Sequence, residues 1–219
     1  MYRTHDYNRF QLLWRLCLVD PAIDESAAIH QQLIAAYGEA QRYYHTLDHI
    51  EHCLSLFDKI CSELQSPQAL ELAIWFHDVV YRPGAENNEQ LSADQFMQTT
   101  KNQFDDNLRN IVYQHIMATV HLETEMNHAD TKYMLDIDLS SFGSPWPVFL
   151  RDSDKLRREM AHLSNEDYYR KQLAFQQSLI DRPRFFKTDY FFQNYEAQAR
   201  QNLTDYFESI DAKSEADDA

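Results

Sequence analysis

The chain has 219 residues, with 20 Lys and Arg against 35 Asp and Glu for a net charge of −15, and it contains only 3 Gly and 6 Pro. So little Gly leaves few φ > 0 positions for tight hairpins, which argues against a multi-stranded antiparallel fold. The negative surface repels phosphate backbones, which argues against a nucleic-acid partner.

In chain order, the first apolar stretch, Leu12 to Val19, is broken by Arg15 and has no basic region or small-residue cleavage site near it. Neither export nor a membrane span is expected, and the cytoplasm is the default compartment. Cys17, Cys53 and Cys61 are odd in number and lack a C-x-x-C pair, so they suit a reducing compartment better than a disulfide framework. Asp24 and Glu25 open a helix that stops at Gly38. Thr46 caps one that runs to about Leu64, Ser66 and Pro67 read as N-cap and first turn of the next, and Asn88 with Glu89 begins another that ends near Lys101. Ser144 with Pro145, and Asn165 with Glu166 and Asp167, mark two more starts. Period-two alternation is never sustained. The spacing predicts an all-α chain of nine or ten helices, one unit over residues 1–210. Residues 211–219, with four acidic side chains and no large apolar one, are expected to be a disordered acidic tail.

Leu70, Ala73, Ile74, His77, Asp78 and Tyr81 fall at offsets 0, 3, 4, 7, 8 and 11, one face of a predicted helix through residue 81. A carboxylate on such an apolar face is costly unless it is paired or binds a cation. Leu108, Ile111, Val112, His115, Ile116 and Thr119 repeat the pattern around a second histidine, and His121 follows. In Leu135, Asp138, Leu139 and Phe142 the inward carboxylate is Asp138, with Asp136 on the opposite side. His45 and His49, at i and i+4, lie on one side of a helix start. Inward imidazoles and carboxylates on several helices are the ligand set of a divalent transition ion such as Mn, Fe, Ni or Zn. A satisfied core histidine or aspartate is the alternative at each position taken singly.

The order of a lone His49, an adjacent His77-Asp78 and a later Asp138, all on helices, resembles the HD superfamily of metal-dependent phosphohydrolases. The strings RYYHTLDHI (42–50), AIWFHDVVY (73–81), NNEQLSA (87–93), LDIDLSSFG (135–143) and EAQARQNL (196–203) are similar to a small bacterial subfamily of predicted HD phosphohydrolases. The resemblance implies a single HD-type helical domain in which His49, His77, Asp78 and Asp138 hold one divalent metal. His45, His115 and His121 match no part of that skeleton. Some branches of the superfamily hold two metals through additional histidines, so a second ion at His115 or His121 stays open, as does contact of His121 with substrate phosphate.

Better understood branches place a Glu soon after the dyad as general acid or base. Here Val79, Val80, Tyr81 and Arg82 follow, and the first carboxylates are Glu86 and Glu89. Glu89 is the candidate proton carrier, with a helix-capping role as its alternative. The implied activity is hydrolysis of a small phosphorylated metabolite or nucleotide, with Asp78 at the metal. Arg82 is the first choice for binding phosphate, ahead of Arg151, Lys155 and Arg158 and of Arg182 and Arg184. Tyr81, on the dyad's face, can reach the pocket. A non-catalytic module with a structural metal and a di-iron oxygenase are the alternative functions.

Overall fold

A computed structural model describes residues 4–121 and 128–217 of the chain. Among the described residues there are ten α-helices and no strand. Inter-residue contacts divide the chain into two units, Met1–Leu135 and Asp136–Ala219. The boundary falls inside one continuous helix, which is named α7 below.

The first unit holds α1 (Thr4–Cys17), α2 (Ser26–Tyr37), α3 (Leu47–Ile60), α4 (Pro67–Phe76), α5 (Asn88–Thr99), α6 (Asp106–Ala118) and the start of α7 (Thr131–Asp138). Its organising element is α4. Ala69, Leu70, Leu72, Ala73, Ile74, Trp75 and Phe76 are all buried, so from Leu72 onward this helix has no solvated face, and it packs on α1, α3, α5 and α6. The aromatic core around it includes Phe10, Trp14, Trp75, Phe76, Phe96 and Phe104. Two polar groups in this core are paired: the Tyr37 hydroxyl donates to the Trp75 carbonyl at 3.0 Å, and Trp14 Nε1 donates to Gln103 Oε1 at 2.8 Å.

Start signals behave as helix physics requires. Asp105 accepts the Leu108 amide at 3.0 Å and caps α6. Pro67 occupies the first turn of α4, as its spacing predicts, but Ser66 makes no side-chain cap. The buried carboxylate of Asp130 accepts the amides of Gln65 and Ser66 at 3.0 and 2.7 Å instead.

The apolar pattern predicts a helix through residue 81, whereas α4 ends at Phe76. His77 is its C-cap and keeps a hydrogen bond to the Ala73 carbonyl, after which the chain turns away. The backbone groups that a longer helix would satisfy are taken by side chains. Arg42 donates to the carbonyls of Asp78 and Val79, Ser92 pairs with both the amide and the carbonyl of Val80, and Asn88 does the same for Arg82.

The second unit holds the end of α7, a 3₁₀ turn (Leu139–Gly143), α8 (Trp146–Glu159), α9 (Asn165–Ile180) and α10 (Asp189–Asp217). Ser164 caps α9 by accepting the Asp167 amide at 3.0 Å, while its hydroxyl donates to the Asp167 carboxylate. The 3₁₀ turn packs closely on α10, where a Cβ added at Gly143 would stand 2.8 Å from Cβ of Tyr195. Asn202 donates from α10 to the carbonyls of Phe142 and Ser144. The segment read as a tail is helical as far as Asp217, within α10.

Asp136 departs from its expected outward position. It is completely buried, and its carboxylate accepts the Lys187 and Thr188 amides and the Thr188 hydroxyl at 2.7–2.8 Å. Burial pushes this carboxyl up to about 6 against those hydrogen bonds. Glu196 treats the Phe185 and Phe186 amides in the same way and is itself held by Arg200 at 2.6 Å. A periodicity argument assumes one wet face, whereas Met134 and Ile137 are as buried as Asp136.

Candidate metal centre

α3 and the C-cap of α4 bring His49, His77 and Asp78 together. His49 lies in the first turn of α3 and is buried there, and His77 is equally enclosed at the end of α4. Their Nε2 atoms are 3.2 Å apart. Asp78 Oδ2 lies 3.1 Å from His77 Nε2 and 3.7 Å from His49 Nε2. The His77 Nδ1–H donates to the Ile74 carbonyl at 2.9 Å, so in the neutral ring the Nε2 lone pair faces the cluster. Nitrogen and oxygen ligands about 2.1 Å from one ion stand roughly 3.0–3.5 Å from each other, which matches these separations.

Asp138 is the last residue of α7 and is half-buried. Two buried imidazoles with a carboxylate beside them are a donor set that can hold a divalent metal ion.

Burial alone would raise the Asp78 carboxyl, but His77, His45 and His49 outweigh it and hold this group well below the usual carboxylate range. His45 contributes through its position. Its ring stacks on Tyr81 with centroids 4.2 Å apart and lies 6.1 Å from His49, while Tyr44 packs edge-on against it. Tyr81 is buried by this stacking and by the Arg42 guanidinium 5.5 Å from its ring centre, not by continuing the face of α4. Cys53, one turn after His49 on α3, places Sγ 3.7 Å from His49 Nε2.

The remaining candidates lie at varied distances from these atoms along the chain. Arg82 has an exposed side chain, and only its backbone is held, by Asn88. Glu89 is in the first turn of α5, half-buried. His121 follows the end of α6 with φ 59, a left-handed conformation uncommon outside Gly. His115 is in a different cluster, where Nδ1 meets Thr131 Oγ1 at 3.1 Å and the ring meets His128 at 5.2 Å, and its Nε2 is buried without a hydrogen bond. In the second unit, Arg151 and Lys155 pair with Asp152, and Arg184 pairs with Asp189.

Arg42 has no counterpart among the residues singled out in the sequence. Its partners are backbone carbonyls 36 and 37 positions away, and no spacing rule reports such contacts. The one available signal was an Arg placed three residues before His45 in a chain with few basic residues.

No helix among the described residues is long and apolar enough to cross a membrane. Comparison of the chain with known protein families, with characterised proteins and with solved structures finds no match in any of the three.

Proposed function

We propose that the protein is a metal-dependent phosphohydrolase of the HD type acting on a small phosphorylated metabolite or nucleotide, with His49, His77, Asp78 and Asp138 holding one divalent ion. The observation that carries this reading is the convergence of two buried Nε2 atoms, 3.2 Å apart, with the Asp78 carboxylate 3.1 Å from one of them. Apposed nitrogens of this kind beside a carboxylate are a poor arrangement for a core and a good one for a cation. A bound divalent ion supplies a water of lowered pKa and withdraws charge from phosphoryl oxygens. Of the chain's own groups, His77 in its neutral form presents the Nε2 lone pair, Asp78 offers a carboxylate oxygen 3.1 Å from it, and the exposed Arg82 guanidinium is available to bind phosphate. Glu89 and His121 are the candidates for moving a proton and for contacting substrate, and Tyr81 shapes the wall next to His45.

The test combines elemental analysis with activity. Protein purified without chelators should contain Mn, Fe, Ni or Zn, lose it in Asp78→Ala, and keep it in His52→Ala, because His52 belongs to no ligand set. Equal metal loss in both variants would remove the assignment. The loaded protein should release phosphate from some member of a panel of nucleotides and small phosphate esters. The absence of a carboxylate between Val79 and Arg82 favours a second reading, a non-catalytic module with a structural metal. Bound metal with no release across the panel selects that reading.

A further inference from the structure

We infer that Arg42 is a positioning residue of the metal centre, a role that rests on the metal reading above. Its side chain is completely shielded from solvent. All three guanidinium nitrogens are engaged: Nε with Glu39 Oε2 at 3.0 Å, Nη1 with the Asp78 carbonyl at 2.6 Å and the His45 carbonyl at 3.3 Å, and Nη2 with the Val79 carbonyl at 3.0 Å. The guanidinium carbon lies over two rings, 5.2 Å from the centre of Tyr37 and 5.5 Å from that of Tyr81.

This geometry ties two pieces of backbone that would otherwise be independent. One carries His45 and leads within four residues to His49, and the other carries the His77-Asp78 pair. Because α4 stops at Phe76, the carbonyls of Asp78 and Val79 have no place in its hydrogen-bond ladder. Arg42 supplies their donors, and so sets where the Asp78 side chain leaves the turn and how far it stands from His49. A carboxylate ligand displaced by even a fraction of an ångström changes both affinity and coordination geometry, which is why groups behind metal ligands typically affect binding by 10–100-fold. Lysine cannot substitute, since its ammonium is a point charge and lacks the fork that reaches carbonyls of two separate backbone segments at once.

Arg157 provides an internal control. It makes the same kind of clamp at the end of α8, donating to the carbonyls of Met160 and Leu163 and stacking on Tyr168. An effect that comes only from losing a buried carbonyl clamp should therefore appear in both variants as lower stability.

The experiment measures Mn(II) affinity by calorimetry and the visible d–d spectrum of the Co(II)-substituted full-length protein for wild type, Arg42→Gln, Arg42→Lys and Arg157→Gln, each first checked for helicity. The expected result is affinity reduced roughly 10–100-fold with an altered Co(II) spectrum in both Arg42 variants, and wild-type affinity and spectrum in Arg157→Gln despite a lower Tm. Arg42 variants that bind Mn(II) with wild-type affinity and give the wild-type Co(II) spectrum would overturn the role while leaving the metal centre intact. Loss of helicity in both Arg42 variants would overturn it too, by making Arg42 a residue of the fold alone. Wild-type protein that binds neither ion would remove the metal reading itself, and this role with it.

Discussion

His115 shows how a single buried side chain sets a response to pH. Burial, assisted by the neighbouring His128 and opposed by Asp130, pushes its imidazole from the ordinary 6.5 down to about 4. Above pH 6.5 the ring is neutral whether the chain is folded or not, and it contributes no pH dependence. Between 6.5 and about 4 the unfolded chain takes up a proton that the folded chain refuses, so stability falls as the pH falls, by up to about 3 kcal/mol in total. Denaturant unfolding at pH 7 and pH 4.5 should show a smaller loss in His115→Gln than in wild type, and equal losses would contradict this account. At the same scale, His77 and Asp78 stood out in the sequence as polar residues on an otherwise apolar stripe, and His49 through its i, i+4 spacing with His45 and the residue order that resembles the HD superfamily. Arg42 was not, because what it recognises is main chain, which carries no sequence signature. Asp136 was misplaced for a related reason, since its partners are the amides of Lys187 and Thr188.

At the level of elements, starts were easier to read than ends. Pro67, and the start at Asn165 that Ser164 caps, mark helix beginnings through local chemistry, a fixed φ or a cap, that acts within three or four residues. The end of α4 depends on competition instead. Helical continuation from His77 to Tyr81 is opposed by side chains from the segment before α3 and from α5 that bind the same backbone groups in another conformation. Ser92 carries part of that competition, accepting from the Val80 amide at 3.1 Å and donating to its carbonyl at 3.3 Å while itself fully buried. Ser92→Ala leaves both groups without their partner and should lower unfolding free energy by about 1–3 kcal/mol in chemical denaturation. A change within a few tenths would mean that the turn is set elsewhere.

For the molecule as a whole, scarce Gly and unbroken helical periodicity were enough to predict the all-helical architecture, because both properties are summed over the entire chain and survive local misreadings. The division at Leu135 was not legible, since it falls inside α7 with no Gly, Pro or polar linker to announce it. The burial of the second half of α4 on every side has a kinetic counterpart. An amide in a helix with a wet face can exchange its hydrogen when that helix frays, at a cost far below that of unfolding, but α4 cannot open without breaching the packing of four neighbouring helices at once. The amides of Ala73, Ile74, Trp75, Phe76 and His77 should therefore be among the slowest in the first unit to exchange with deuterium, with protection approaching the global unfolding limit, while those of α1 near the exposed Leu12 and Leu16 exchange orders of magnitude sooner. The end of α4 that carries His77 would then be inherited from the most persistent part of its unit, so that the spacing of the two histidines relaxes only when the surrounding core does.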